Sequence, residues 1–264
     1  MNVRLVLALF AIAPILVNGA CGGPDVKEAT SDRSAATAKQ EVDGEEVEAY
    51  FEAHASNDVA ELESAAKLAA PGSLANAYAL HQSNVENASI DAGQPSESGT
   101  TKKVDGGYRI CETQIVDVEG TEEETCYTYA DFESTDGKLA SFTINGKELD
   151  DRISLGNGEK VKAGRFGRIE FLSSYKSAAN DLYVTVRFTT RSVAASFGGY
   201  EATYRSPEGR QATASGHIGN AEVDADSTSY EAIIFSKAEP GGVVRIPISS
   251  EDFMSEKVVR LKTR

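Results

Sequence analysis

The sequence predicts a two-part protein, an α+β unit followed by an all-β unit, and three observations carry that reading. Apolar residues recur at helical spacing between residues 45 and 85. Alternating segments separated by tight-turn signals follow, to about residue 150. Past Asn157-Gly158 the helical period disappears, and short alternating strands continue to residue 262. Helices followed by an antiparallel sheet describe an α+β unit, and a run of short strands divided by Gly- and Pro-rich turns describes a β-sandwich.

Ahead of both units stands Met1-Asn2-Val3-Arg4, then an apolar run over residues 5–17 broken by Pro14, then Gly19 and Ala20 before Cys21. Basic, apolar and small residues in that order make residues 1–20 a signal peptide. The run is shorter than the roughly 20 apolar residues that cross a bilayer as a helix. Residues 21–44 are rich in Ala, Ser, Thr, Lys, Glu and Asp, a composition that buries too little apolar surface to order itself, and read as a disordered tether.

Small residues ending in Cys21 resemble the lipobox of bacterial lipoproteins, with Asn18 where that family prefers Leu, Val or Ile. The resemblance implies that Cys21 is acylated, palmitate included, and becomes the mature N-terminus, anchoring the chain to the outside of a cell membrane. The alternative is cleavage near Ala20 with Cys21 left free and the protein secreted. With Cys21 assigned to lipid, Cys111 and Cys126 remain. Residues 108–118 and 124–132 read as the two strands of a hairpin, and pairing the two cysteines centres it near Val118 and Glu119, so they can face each other and form a disulfide. Two buried free thiols are the other reading. Neither has the C-x-x-C spacing of redox catalysis or zinc binding.

The three helices follow in order. Val47, Tyr50, Phe51 and His54 fall at i, i+3, i+4 and i+7. Asp58, with Glu61 three residues on, caps a second helix carrying Val59, Leu62 and Leu68 and ended by Pro71-Gly72. A third starts at Ser73 and carries Leu74, Tyr78, His81 and Val85; residues 86–107 then read as a polar loop. After the hairpin, Asp136-Gly137 and Asn145-Gly146 bracket a strand over residues 139–144. Helices before a meander carrying Phe132-Glu133-Ser134-Thr135-Asp136-Gly137-Lys138-Leu139 and Phe142-Thr143-Ile144-Asn145-Gly146 resemble the NTF2-like fold over residues 45–150. The resemblance implies a cone, in which a curved sheet wraps a helix.

Residues 157–264 read as the all-β unit, with strands at 168–172, 182–189, 199–205, 212–218, 230–237, 243–248 and 257–262. The strand at 182–189 alternates strictly, predicting one apolar and one wet face. An alternating central strand and a late Pro240-Gly241-Gly242 turn feeding an apolar strand resemble the immunoglobulin-like domains of bacterial envelope lipoproteins, without the Cys and Trp hallmarks of true immunoglobulin domains.

With 26 Lys and Arg against 41 Asp and Glu, the net charge of −15 excludes nucleic acid and anionic headgroups as partners, because phosphate recognition needs a basic footprint. Chemistry-bearing residues are few. His54 and His81, beside Tyr50 and Tyr78 on the apolar helix faces, would line the mouth of an NTF2-like cone; packing is the plainer role, because no second positioned group can be assigned by spacing. His217 has no assignable partner and reads as a surface residue. Residues 220–226 alternate oxygen-bearing side chains and would put Glu231 at the twelfth position of a calcium loop. Ala225 stands where that loop requires Gly, so the run reads as a solvated loop or strand edge rather than a metal site. No catalytic set, metal site or cofactor motif is found. The sequence therefore points to a non-enzymatic, extracytoplasmic envelope protein that binds a protein or small ligand, the alternative being an NTF2-like enzyme or carrier using the cone pocket. A polar-lined cavity of roughly a few hundred Å³ separates the two readings.

Overall fold

The computed structural model describes residues 44–115, 122–250, 252 and 254–263. The segment expected to be a signal peptide, Cys21 and residues 22–43 lie outside them, as does the expected hairpin tip at Val118 and Glu119.

The helices are α1 (Gly44–Ser56), α2 (Val59–Leu68) and α3 (Leu74–Asp91). Helix α1 buries Val47, Tyr50, Phe51, His54 and Ala55, the stripe that the 3.6-residue period dictates. Asp58 caps α2 by accepting the Glu61 N–H at 3.0 Å, and Ser73 caps α3 by accepting the Asn76 N–H at 3.2 Å. Residues 86–91 are helical rather than loop, and β1 begins at Thr100. Partners distant in sequence hold this polar stretch. The Glu86 carboxylate accepts the Ser96 N–H at 3.1 Å, and the Asp91 carboxylate accepts the Tyr230 N–H at 2.6 Å.

Strands β1 (Thr100–Val104), β2 (Gly107–Ile115), β3 (Glu122–Thr135), β4 (Lys138–Ile144) and β5 (Lys147–Glu148) form an antiparallel meander in that order. The β3–β4 and β4–β5 turns place Asp136-Gly137 (φ 53° and 79°) and Asn145-Gly146 (φ 50° and 71°) in paired left-handed conformations, the demand of a type I′ hairpin. Cys111 lies directly opposite Cys126 in the β2–β3 register, and the two are disulfide-bonded. Such a bridge forms and persists in an oxidising, extracytoplasmic compartment. No described helix is long and apolar enough to cross a membrane. Phe51 fills the space between α1 and this sheet, its ring 5.2 Å from Tyr108, 5.0 Å from Tyr129 and 5.4 Å from Phe142.

The remaining strands are β6 (Ile153–Leu155), β7 (Lys160–Lys162), β8 (Gly167–Lys176), β9 (Asp181–Thr190), β10 (Ala195–Phe197), β11 (Thr203–Arg205), β12 (Gln211–Thr213), β13 (Gly216–Ile218), β14 (Glu222–Val223), β15 (Thr228–Ser236), β16 (Val243–Ser249) and β17 (Glu256–Lys262). They form two antiparallel sheets, one ordered β13-β15-β9-β8-β6 with β7 beside β8, the other β12-β11-β16-β10-β14 with β17 beside β16. Val184, Val186 and Phe188 of the first share an apolar core with Phe197, Tyr204, Val244 and Ile246 of the second. The single strand expected over 212–218 is two, β12 and β13, because the chain passes from one sheet to the other between them.

The face of β9 expected to be wet is covered in part, with Thr185 buried, Tyr183 and Arg187 half-buried and Thr189 exposed. Helix α3 lies against β8, β9 and β15 as well as against β4. Thr185, on that polar face, is fully buried beside Ser173, their hydroxyl oxygens 2.5 Å apart. Thr185 bonds Ser173 of β8, and Ser173 in turn bonds His81 and Asn84 of α3, so at this position the polar group meets hydrogen-bonding partners instead of water.

Candidate functional site

Alternation along the β2–β3 hairpin decides what faces the helices. Tyr108, Ile110 and Glu112 share one face of β2, and the register sets Tyr129 opposite Tyr108 and Tyr127 opposite Ile110 on the same face. Cys111 and Cys126 fall on the other face, so the disulfide fastens together the two strands that carry Glu112, Tyr127 and Tyr129. Toward the far end of this surface the aromatic filling stops, and a cavity of about 250 Å³ opens.

The sheet supplies Glu112, Tyr127, Tyr129 and Ile144 to its wall. Helix α1 and the turn after it supply His54 and Asn57; α3 supplies Tyr78, His81, Gln82, Val85, Glu86 and Ser89. The far wall comes from the second half of the chain, with Tyr175, Ser177, Ala178, Tyr183 and Ile218. Of the residues expected around a pocket, His54, Tyr78 and His81 meet here, and Tyr50 does not. Tyr50 is enclosed in the helix–sheet core, its hydroxyl donating to the Ala75 carbonyl at 2.8 Å. Glu112, Tyr127, Tyr129, Tyr175 and Tyr183 escaped the sequence reading. The first three carried a legible signal, because polar side chains at alternate positions of one strand face mark a wall that is not apolar core. Tyr175 and Tyr183 join only through the docking of the second half.

The hydrogen bonds define the chemistry. His54 Nε2 lies 3.0 Å from the Tyr129 hydroxyl, which lies 3.4 Å from the Tyr78 hydroxyl. His54 Nδ1 is buried with no partner. A bare lone pair there is less costly than an unpaired N–H, so the proton belongs on Nε2, donated to Tyr129. The Tyr129 O–H is thereby free to donate to Tyr78 or to a guest. His81 Nδ1 lies 2.8 Å from Ser173 Oγ, which also accepts from Asn84 Nδ2 at 3.3 Å.

Burial pushes His54 down to about 4 and His81 down to about 3, so both are neutral at pH 7. Burial raises the phenols of Tyr78, Tyr127, Tyr129 and Tyr175, and takes Tyr183 up to about 12; they stay protonated. Burial also raises Glu112, against a lowering hydrogen bond from Asn57. Among the described residues the wall thus offers neutral hydroxyls and imidazoles with two carboxylates, Glu86 and Glu112, and no Lys or Arg. A general base at neutral pH works best with a pKa near 7, and neither histidine has one or a carboxylate to raise it. The arrangement suits binding better than proton transfer.

His217 is not a surface residue. Its side chain is 3% exposed, and Nε2 lies 2.8 Å from Glu231 Oε2, a carboxylate that is fully buried. Ser229 Oγ donates to the other Glu231 oxygen at 2.7 Å. The serine is bonded to the carboxylate rather than to the imidazole, so this is not an activated nucleophile. Glu231 is committed to His217 and Ser229, and Glu222, Asp224 and Asp226 form no group of converging ligand atoms among the described residues. Among the described residues the group with potential metal ligands is Cys111, Glu124 and Cys126, and its two sulfurs are committed to the disulfide.

No protein family, curated protein sequence or solved structure matches this chain.

Proposed function

We propose that this protein is a non-enzymatic, extracytoplasmic binding protein that carries a small polar ligand in the cavity between α1, α3 and the β2–β3 hairpin. The observation that carries the reading is the cavity itself: about 250 Å³, walled by hydroxyl, imidazole and carboxylate groups, at the end of an otherwise filled core. The helix-then-meander order supports an NTF2-like unit whose cone mouth is this cavity, closed on its far side by the second half. Two antiparallel sheets sharing one core support an immunoglobulin-like sandwich for that half. The lipobox-like residues ending at Cys21 support attachment to the outer face of a cell membrane.

A thermal-shift screen of small polar compounds against the wild type and Ala178→Trp, which plugs the cavity from a loop, tests the binding role. Compounds should raise the wild-type melting temperature and leave the plugged variant unmoved; equal shifts in both would remove the cavity from the function. Intact-mass measurement of the membrane fraction beside Cys21→Ala tests the anchor, and recovery of the wild type as an unmodified soluble chain would end that claim.

A further inference from the structure

Resting on the cavity reading above, we infer that the ligand is a small organic cation, an ammonium group held against tyrosine rings and neutralised by Glu112. Three features of the wall select that charge. Among the described residues its lining holds two carboxylates, Glu86 and Glu112, and no Lys or Arg, so an entering cation meets negative charge and an anion meets repulsion. Arg152, whose charge is felt at Tyr175, donates to the carbonyls of Lys176 and Ser177 and contributes no side chain to the described lining.

Glu86 is buried and takes the Ser96 N–H between its two oxygens, whereas Glu112, half-exposed on the inner face of β2, takes a hydrogen bond from Asn57 and keeps acceptor positions for a guest. Around it the wall is aromatic. Tyr127 and Tyr129 stand on the same sheet face, and Tyr78 and Tyr175 pack edge-on against each other in the wall, ring centroids 5.2 Å apart. Ring faces carry negative charge density and attract a desolvated ammonium, the recognition used by aromatic cages for quaternary amines. His54 and His81, neutral and buried, add no competing positive charge.

Because the chain contains no Trp, its intrinsic emission is that of tyrosine, and five tyrosines line the cavity. Tyrosine fluorescence of the full chain should therefore respond saturably to tetramethylammonium and to choline at constant ionic strength. It should respond at least tenfold more weakly to 3,3-dimethylbutanol, the uncharged isostere of choline. Glu112→Gln, nearly isosteric, should weaken choline binding about tenfold or more, and Tyr127→Leu at a half-exposed position should do likewise, with circular dichroism confirming that both fold. Equal binding of the neutral isostere, or an unchanged Glu112→Gln, would overturn the cation and leave the cavity as a binding site for uncharged ligands. No response to either ammonium would also overturn it; the cavity reading itself falls only if the Ala178→Trp comparison fails as well.

Discussion

Glu231 is a carboxylate inside an otherwise apolar core, held there by His217 and Ser229. Removing one partner of a buried pair strands the other, so Glu231→Ala should lower unfolding free energy by about 3–5 kcal/mol. Glu231→Gln keeps hydrogen-bonding capacity toward both neighbours and should cost less than half as much, measured by urea denaturation at pH 7. Gly219 explains why this pair fits: its φ is +134°, and a Cβ there would stand 1.8 Å from Glu231 Oε2, so only glycine lets the carboxylate close on the imidazole. The other two histidines make a pH prediction. His54 and His81 have folded pKa values below the unfolded 6.5 or so, which means the unfolded chain binds protons more readily between that pH and about 4. Stability from each is complete above pH 6.5 and is lost as pH falls, on the order of 3 kcal/mol apiece. Glu112 and Glu231, both raised by burial, act in the opposite sense and blunt the slope. Replacing His54 with Gln, which mimics Nε2, and His81 with Asn, which mimics Nδ1, should flatten the change in urea midpoint between pH 7 and pH 4.5.

Among elements, the β2–β3 hairpin joins stability to the site. Its disulfide closes a loop with a sequence separation of 15, which in the chain-entropy treatment stabilises by about 3 kcal/mol. Glu112 and Tyr127 are the immediate neighbours of the two cysteines, so reduction frees the strands at the cavity wall. Dithiothreitol, or the Cys111→Ser and Cys126→Ser pair, should lower the melting temperature and weaken cavity binding together. A fall in melting temperature with unchanged binding would separate the staple from the site. Helix α3 shows the reverse relation between sequence and element. Its last turns, residues 86–91, carry Glu, Asn, Ser and Asp without an apolar stripe, and they stay helical because Glu86 and Asp91 find backbone donors on Ser96 and Tyr230. Nothing within the helix announces those partners.

At the scale of the whole molecule, α3 is the shared element, packed against β4 on one side and against β8, β9 and β15 on the other. Its fit depends on small side chains where it crosses the sheet, among them Ala232, fully buried and opposite Thr185 in the β15–β9 register. Coupling through one buried helix should make the two halves melt together, with a calorimetric enthalpy equal to the van't Hoff enthalpy. Ala232→Leu, which overfills that contact, should lower stability by about 1–3 kcal/mol and do so in the same single transition. Two resolved transitions in the wild type would show that the halves are energetically independent.

Local order was legible because local physics sets it. The stripe of α1, the caps at Asp58 and Ser73, the Asp136-Gly137 and Asn145-Gly146 turns and the Cys111–Cys126 register each depend on residues a few positions apart or on one hairpin's midpoint. Along the chain, helical periodicity grouped Tyr50, His54, Tyr78 and His81 by face, and the resemblance to an NTF2-like fold implied that this face lines a cone mouth, which holds for all but Tyr50 as cavity lining. What only the tertiary structure decided is what covers what. Tyr50 went to the core, His217 went inside against Glu231, Thr185 on the polar face of β9 was buried in the sheet that α3 packs against, and Tyr175 and Tyr183 closed the cavity although they lie far along the chain from α3 and the hairpin. Periodicity says that a face is polar; whether water or a helix bearing matching hydrogen-bond groups lies against it depends on how distant elements pack, which no local pattern encodes.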